Sequence, residues 1–194
     1  MDKVSICSSA LLQFGKGPIA SFTPSGNNND IIQLCANLYP QERDSLLREG
    51  FWNCAMTRAI LAPDSTAPIY AYASRFKLPA DFIRLYSIGD YLVGSLNCLD
   101  FRIEDGYILT VGTQLPIEYI YRNEVEATWD SKLIELMIAR MMWKLAYPIT
   151  QSASLRDQMR TEYERMAMVA RSIDSQENPS QPMSDDFSFI TGRY

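Results

Sequence analysis

The chain has 194 residues, 47% of them apolar, with a formal net charge of −5 and a pI near 4.8. A chain of this length buries roughly 70% of its extended surface, enough for a core that needs no disulfide or metal staple. The acidic balance speaks against a dedicated nucleic-acid binder or a membrane-surface protein, because no field attracts phosphate or anionic lipid; it leaves room for a protein that DNA merely slides past.

The amino terminus, with an acid at Asp2 and no small-residue cleavage site after a long apolar stretch, does not read as a signal peptide. Nor does any apolar run approach the ~20 residues that span a bilayer. Val4, Cys7, Leu11 and Phe14 fall at helical spacing, which predicts a helix over 2–14 capped by Asp2 and stopped by Gly15-Lys16-Gly17-Pro18. A loop rich in Gly, Pro, Ser and Asn follows. Asn29 or Asp30 then caps a second helical stretch with Ile31, Leu34, Cys35 and Leu38 on one face. Pro40 breaks or kinks it, and a further helix from about Gln41 to Leu61 carries Leu46, Leu47, Phe51 and Ala55, so helix is predicted over 30–61. Trp52 reads as a packing anchor.

From Ile69 to Arg122 the period changes to two. Strands are predicted at Ile69 to Phe76, Phe82 to Ile88, Leu99 to Ile103, Tyr107 to Val111 and Ile117 to Tyr121. Asp105-Gly106, between two of these runs, supplies the positive φ angles of a tight hairpin turn. Helical spacing returns at Ser131. The stretch over 131–147 is apolar on most sides and belongs at the centre of a bundle. Over 152–174, Leu155, Met159, Tyr163, Met166, Ala170 and Ile173 recur at steps of four and three on an otherwise charged helix.

The resulting plan is α+β: a mainly helical bundle with a small antiparallel β-rich insertion at 69–122, all in one domain over 1–174, and an extended C-terminal arm at 175–194. The arm is too polar to order itself, yet it ends in Phe187, Phe189, Ile190 and Tyr194. Phe187 and Phe189, two apart, share one side of an extended strand, the pattern of a segment that adds to a sheet edge or fills a groove on a partner. These four residues are the candidate partner-binding site.

Little chemistry is on offer. The chain has no histidine, which removes Ser-His and Cys-His pairs, His-ligated zinc and the commonest general base. Cys7, Cys35, Cys54 and Cys98 are widely spaced with no C-x-x-C pair, so buried reduced thiols are expected rather than a metal site. Such thiols fit a reducing cytosol. Gly15-Lys16-Gly17 lacks the rest of a phosphate loop, and Asn27-Asn28-Asn29-Asp30 lacks the spacing of a calcium loop. Asp100, Glu104 and Asp105 could be imagined as a carboxylate pair of a glycosidase-like hydrolase, although Asp105 is committed to the turn. No catalytic residue, cofactor or metal is expected.

Several segments in order carry a family resemblance. They are Leu11-Leu12-Gln13-Phe14-Gly15 with Pro18-Ile19; Leu38-Tyr39-Pro40 with Arg43-Asp44-Ser45-Leu46-Leu47-Arg48; and Phe51-Trp52-Asn53-Cys54-Ala55. Tyr70-Ala71-Tyr72, Leu78-Pro79-Ala80-Asp81-Phe82-Ile83-Arg84-Leu85 and Leu145-Ala146-Tyr147-Pro148-Ile149-Thr150-Gln151-Ser152 complete the set. Together, from Val4 to about Ile173, the chain resembles the head-to-tail adaptor proteins of tailed bacteriophages, the group that includes tail tubular protein A. Cys54 departs from the aromatic that often follows Trp-Asn in that group.

The resemblance implies a virion structural protein at the head–tail junction, assembled in the cytoplasm of a host bacterium. Subunits would form a ring, usually twelvefold, under the portal protein. The C-terminal arm would grip the portal, a distal face would receive the next tail component (nozzle or tail tube), and genomic DNA would pass through the lumen without sequence-specific binding. Membrane has no part in this picture. Two readings of other classes stand beside it: a virion-associated hydrolase using carboxylates of the β region, and a soluble helical regulator or nucleic-acid-binding module.

Overall fold

A computed structural model describes residues 1–23, 29–95 and 98–177. Helix α1 (Lys3–Leu12) starts where the Asp2 carboxylate accepts the Ser5 backbone N–H at 2.9 Å, and it buries Ile6, Cys7, Ala10 and Leu11. The loop after it is pinned back onto the helix. Ser8 Oγ bonds to both the N–H and the carbonyl of Ile19, each at 3.1 Å.

Helix α2 (Asn29–Glu49) continues through Pro40, so of the break or kink expected there the break does not occur. A proline inside a helix costs about 3 kcal/mol. Leu46 and Leu47 beyond it are fully buried, as is Tyr39 beside it. Each buried leucine returns about 1.5–3 kcal/mol, so a continuous helix wins.

The helix ends at Glu49, not at Leu61. After Gly50 the Trp52 ring folds back against the last turn, and its Nε1 donates to the Leu46 carbonyl at 2.9 Å. A β-carbon at Gly50 would lie 2.6 Å from the ring, so glycine is what lets the chain double back. A 3₁₀ turn at Asn53–Ala55 leads directly into a strand, β1 (Met56–Leu61). The predicted helix over 30–61 is therefore corrected: its last third is turn and strand.

The remaining strands are β2 (Ser74–Lys77), β3 (Phe82–Ile88), β4 (Tyr91–Leu92), β5 (Arg102–Glu104), β6 (Tyr107–Thr110) and β7 (Leu115–Tyr121). They form two antiparallel sheets, one in the order β1-β7-β3-β4 and one in the order β2-β6-β5. The β5–β6 hairpin turns at Asp105 and Gly106, with φ of +47° and +76°, as the sequence predicts. The strand expected from Ile69 begins only at Ser74, because Ala71 sits at φ +71° with the Tyr72 N–H bonded to the Tyr70 carbonyl. That γ-turn interrupts the alternating run.

Helix α3 (Ser131–Thr150) is capped by Asp130, passes through Pro148, and stops at Gln151, whose φ is +57°. It buries Leu133, Leu136, Met137, Met141 and Leu145. A two-residue connection then folds α4 (Ala153–Glu177) back along it, with Tyr163, Ala167 and Ala170 buried against the helical layer.

Two cores result. One lies among the four helices; the other, lined by Phe76, Leu85, Ile88, Ile108, Leu115, Ile117 and Tyr119, lies between the two sheets. Ile83 and Ile120, one turn of pleat further along β3 and β7, belong to the helical core and stitch the layers together. The expected mainly helical bundle with a small insertion is thus corrected. Among the described residues 48% are helical and 20% strand, and the sheets own a separate core. The cause is β1, which supplies one edge of the larger sheet from sequence that reads as helix.

Candidate assembly surfaces and the helix–sheet junction

Three of the motif segments meet at one place, the junction between α2 and the four-stranded sheet. Arg48 Nη1 donates to the Ile83 carbonyl at 2.6 Å, and Arg84 Nη1 donates to the Arg48 carbonyl at 3.2 Å. The Arg84 guanidinium also stacks 4.2 Å from the centroid of Phe51, a cation–π contact. Asp44 takes Arg43 at 2.9 Å and Arg122 at 2.8 Å, so α2 grips the residue that follows β7. The Asp81 carboxylate accepts the Tyr119 hydroxyl at 3.2 Å, and its carbonyl accepts the Arg122 N–H at 2.7 Å. Burial, aided by the Asp81 charge, pushes the Tyr119 hydroxyl up to about 12.

A second constellation lies under the first, between α2, α3 and α4. Arg140, only 4% exposed, donates to Glu42 at 2.7 Å, Glu49 at 2.6 Å, Ser45 Oγ at 2.7 Å and the Tyr163 hydroxyl at 2.7 Å. Tyr163 in turn donates to Glu49 at 2.5 Å, and Lys144 lies 3.1 Å from Glu42. Burial alone would lower the Arg140 pKa, but the hydrogen bonds and charges of Glu49 and Glu42 hold it above its usual value. Burial moves the Tyr163 hydroxyl upward as well. Each of the three guanidinium nitrogens donates to at least one partner, which is what a buried arginine requires. The cluster locks three helices together, and sequence reasoning missed it because the hydrogen-bond partners of Arg140 lie 23 to 98 positions from it.

Among the exposed apolar groups of the described residues, those in two places are candidate assembly surfaces. The outward face of the four-stranded sheet is a shallow groove of about 620 Å³, floored by Ile60, Pro116 and Leu92 and rimmed by Tyr86 and the Arg58–Glu118 ion pair. Ile60 is 71% exposed there, and Tyr91, Leu92 and Val93 extend the patch along the β3–β4 turn. The second place is the γ-turn at Ala71, where Ile69 and Tyr70 are 100% and 81% exposed. A non-glycine residue at the centre of a positive-φ γ-turn is strained. The strain holds two large apolar side chains out in water. The clue to the groove in the sequence is the alternation Thr57-Arg58-Ala59-Ile60, hidden behind the apolar face expected for a longer helix.

The sequence-predicted site residues Phe187, Phe189, Ile190 and Tyr194 lie outside the described residues. The end of α4 from which they follow is fixed: Asn53 N–H donates to the Asp174 carboxylate at 3.1 Å, and Asn53 Nδ2 donates to the Asp174 carbonyl at 3.0 Å. Asp100, Glu104 and Asp105 do not converge on a cleft. All three are exposed, Asp105 occupies the hairpin turn, and Glu104 faces Arg102 at 3.8 Å. Cys7 and Cys35 are buried against each other between α1 and α2, and burial together with this pairing pushes the Cys7 thiol up. Cys54 and Cys98 are half-buried. Burial pushes the Cys54 thiol up to about 11. Among the described residues no cluster of three or more Cys, Asp or Glu is arranged to hold a metal, and no helix is long and apolar enough to cross a membrane.

No protein-family model matches the chain, and a search of curated proteins returns no match.

Proposed function

We propose that this chain is a head-to-tail adaptor of a tailed bacteriophage: a non-enzymatic subunit that forms a ring, most simply twelvefold, between the portal and the next tail component. The observation that carries the reading is the convergence of the motifs. Arg48, Phe51 and Arg84 come from three separate segments of the resemblance and make contacts across one helix–sheet junction, which Asp44 also spans through its bond from Arg122. The acidic surface balance suits a channel wall past which DNA slides, and the exposed apolar groups at Ile60, Leu92, Ile69 and Tyr70 suit a subunit whose surface is completed by neighbours.

In this reading the arm after α4 docks on the portal through Phe187, Phe189, Ile190 and Tyr194. Electron micrographs of the purified chain mixed with the portal of the phage that encodes it test the proposal. A ring of this chain seated on the portal is expected; portals that stay bare at saturating chain would refute it. Hydrolysis of cell-wall glycans lost on Asp100→Asn with Glu104→Gln would favour the carboxylate hydrolase instead.

A further inference from the structure

Ile69 is 100% exposed, Tyr70 81% and Ile60 71%, which makes them the three most exposed large apolar side chains among the described residues. The first two stand on a knob and the third floors the groove. The knob is held out by the γ-turn at Ala71, whose φ of +71° a residue with a β-carbon adopts only under strain. The groove is held open by strands, with Ile60 on β1, Leu92 on β4 and Pro116 on β7, all in one sheet. Apolar groups left in water this way mark surfaces that something else completes.

Charge narrows what can fill the groove. Its lining carries three charged residues, Arg58, Glu118 and Asp90. Arg58 and Glu118 neutralise each other at 3.3 Å, whereas Asp90, in the β3–β4 turn, has no ion pair among the described residues. An anionic segment would meet the Asp90 carboxylate with no free cation to offset it. An uncharged apolar segment that brings a hydroxyl donor suits both the floor and the rim. The knob has that make-up. From Ser65 to Ser74 there is no Asp, Glu, Lys or Arg, and Tyr70 sets a phenolic O–H next in sequence to Ile69.

We propose that the Ile69–Tyr70 knob of one copy of this chain seats in the Ile60 groove of a second copy, with the Tyr70 hydroxyl directed at Asp90 across the contact. Knob and groove are different patches, so the contact is heterologous: it propagates from copy to copy and closes where the rotation per step allows a ring. Area sets its strength. Two side chains that each bury about 150 Å² and cover as much on the other copy give about 600 Å² in total, below the roughly 1,000 Å² of a stable interface. The contact alone is weak, and copies already aligned on a common support make it at high effective concentration. The inference rests on the adaptor reading for that alignment only.

Sedimentation equilibrium of the isolated full chain tests the contact without a portal, from about 10 μM to about 1 mM, where an affinity near millimolar shows itself. The weight-average mass of the parent should rise at the top of that range to at least ~1.5 times that of one chain. Ile69→Ser/Tyr70→Ser, which removes the knob, should stay at one chain throughout. So should Ile60→Glu, which sets a charge on the groove floor. All three positions are exposed, so both variants should keep the parent's thermal melt. An equimolar mixture of the two variants leaves one intact knob to meet one intact groove. Its mass should rise above one chain again and not pass two, which general stickiness would not give. A parent that stays at one chain up to about 1 mM would overturn the proposal. So would either variant associating as the parent does, or a mixture that stays at one chain. The adaptor reading fails on a separate result, a portal left bare by the parent; if the knob variant still forms a ring on the portal, that reading stands and this contact is wrong.

Discussion

Tyr163 places one hydroxyl between a buried guanidinium and a carboxylate, donating to Glu49 and accepting from Arg140. Tyr163→Phe keeps the ring stacked on Trp143 and removes that bridge alone. A loss of about 1–3 kcal/mol in chemical denaturation is expected, the cost of leaving buried polar groups short of a partner. Gly50 acts through space rather than bonding: Gly50→Ala puts a methyl into the Trp52 ring, which is 1% exposed and tied to Leu46, so it cannot yield freely. Overpacking of this kind costs about 1–3 kcal/mol. A melt unchanged by Gly50→Ala would mean that the turn after α2 is looser than described. Titration adds a third residue-scale effect. The Cys54 thiol ordinarily ionises near 9 and is raised to about 11 by burial, so the folded state holds its proton where the unfolded state has lost it. Its contribution is therefore fully present below pH 9 and disappears as pH rises through about 11. Thermal melts should fall across that window, and Cys54→Ala should make the fall shallower.

At the scale of elements, the helices and the hairpin were legible because their signals are local. Asp2 and Asp130 cap, Asp105-Gly106 turns, and the stripe of Tyr163, Met166 and Ala170 sets the inner face of α4. The boundary between α2 and β1 was not, because Leu46, Leu47, Phe51 and Ala55 continue a helical period across a glycine whose role depends on Trp52 doubling back. Pro40 was misleading for the opposite reason: burial of Tyr39 before it and of Leu46 and Leu47 after it outweighs one lost hydrogen bond, whereas Pro148 stands only two residues before the end of α3. The groove and the Arg140 cluster were invisible, since both join residues that only the fold brings together. Of the helices, α3 is the one that touches every part of the helical core. Met141→Asp places an unpaired carboxylate where the side chain is fully buried, and it should unfold the protein at ordinary temperature, read as loss of the cooperative circular-dichroism melt. A variant that melts within a few degrees of the parent would remove α3 from the centre of the layer.

For the whole molecule, the proposed role asks for two separable properties: a body that is stable alone, and a C-terminal segment that matters mainly for attachment. Among the described residues the helical and inter-sheet cores are built from side chains between Val4 and Ala170. Deleting everything after Gln176 should therefore leave the global melt nearly unchanged and abolish portal attachment. A ring also needs each subunit to present two different faces, since contacts around a rotation axis are heterologous. A ring that closed too early would be hard to seat, so the isolated chain should be largely monomeric. Sedimentation velocity of the full chain at micromolar concentration, alone and mixed with its portal, tests the central claim most directly. The account predicts a monomer near 22.1 kDa alone and a portal species heavier by a ring of subunits on mixing. An unchanged portal boundary with all of the chain still sedimenting as monomer would contradict it.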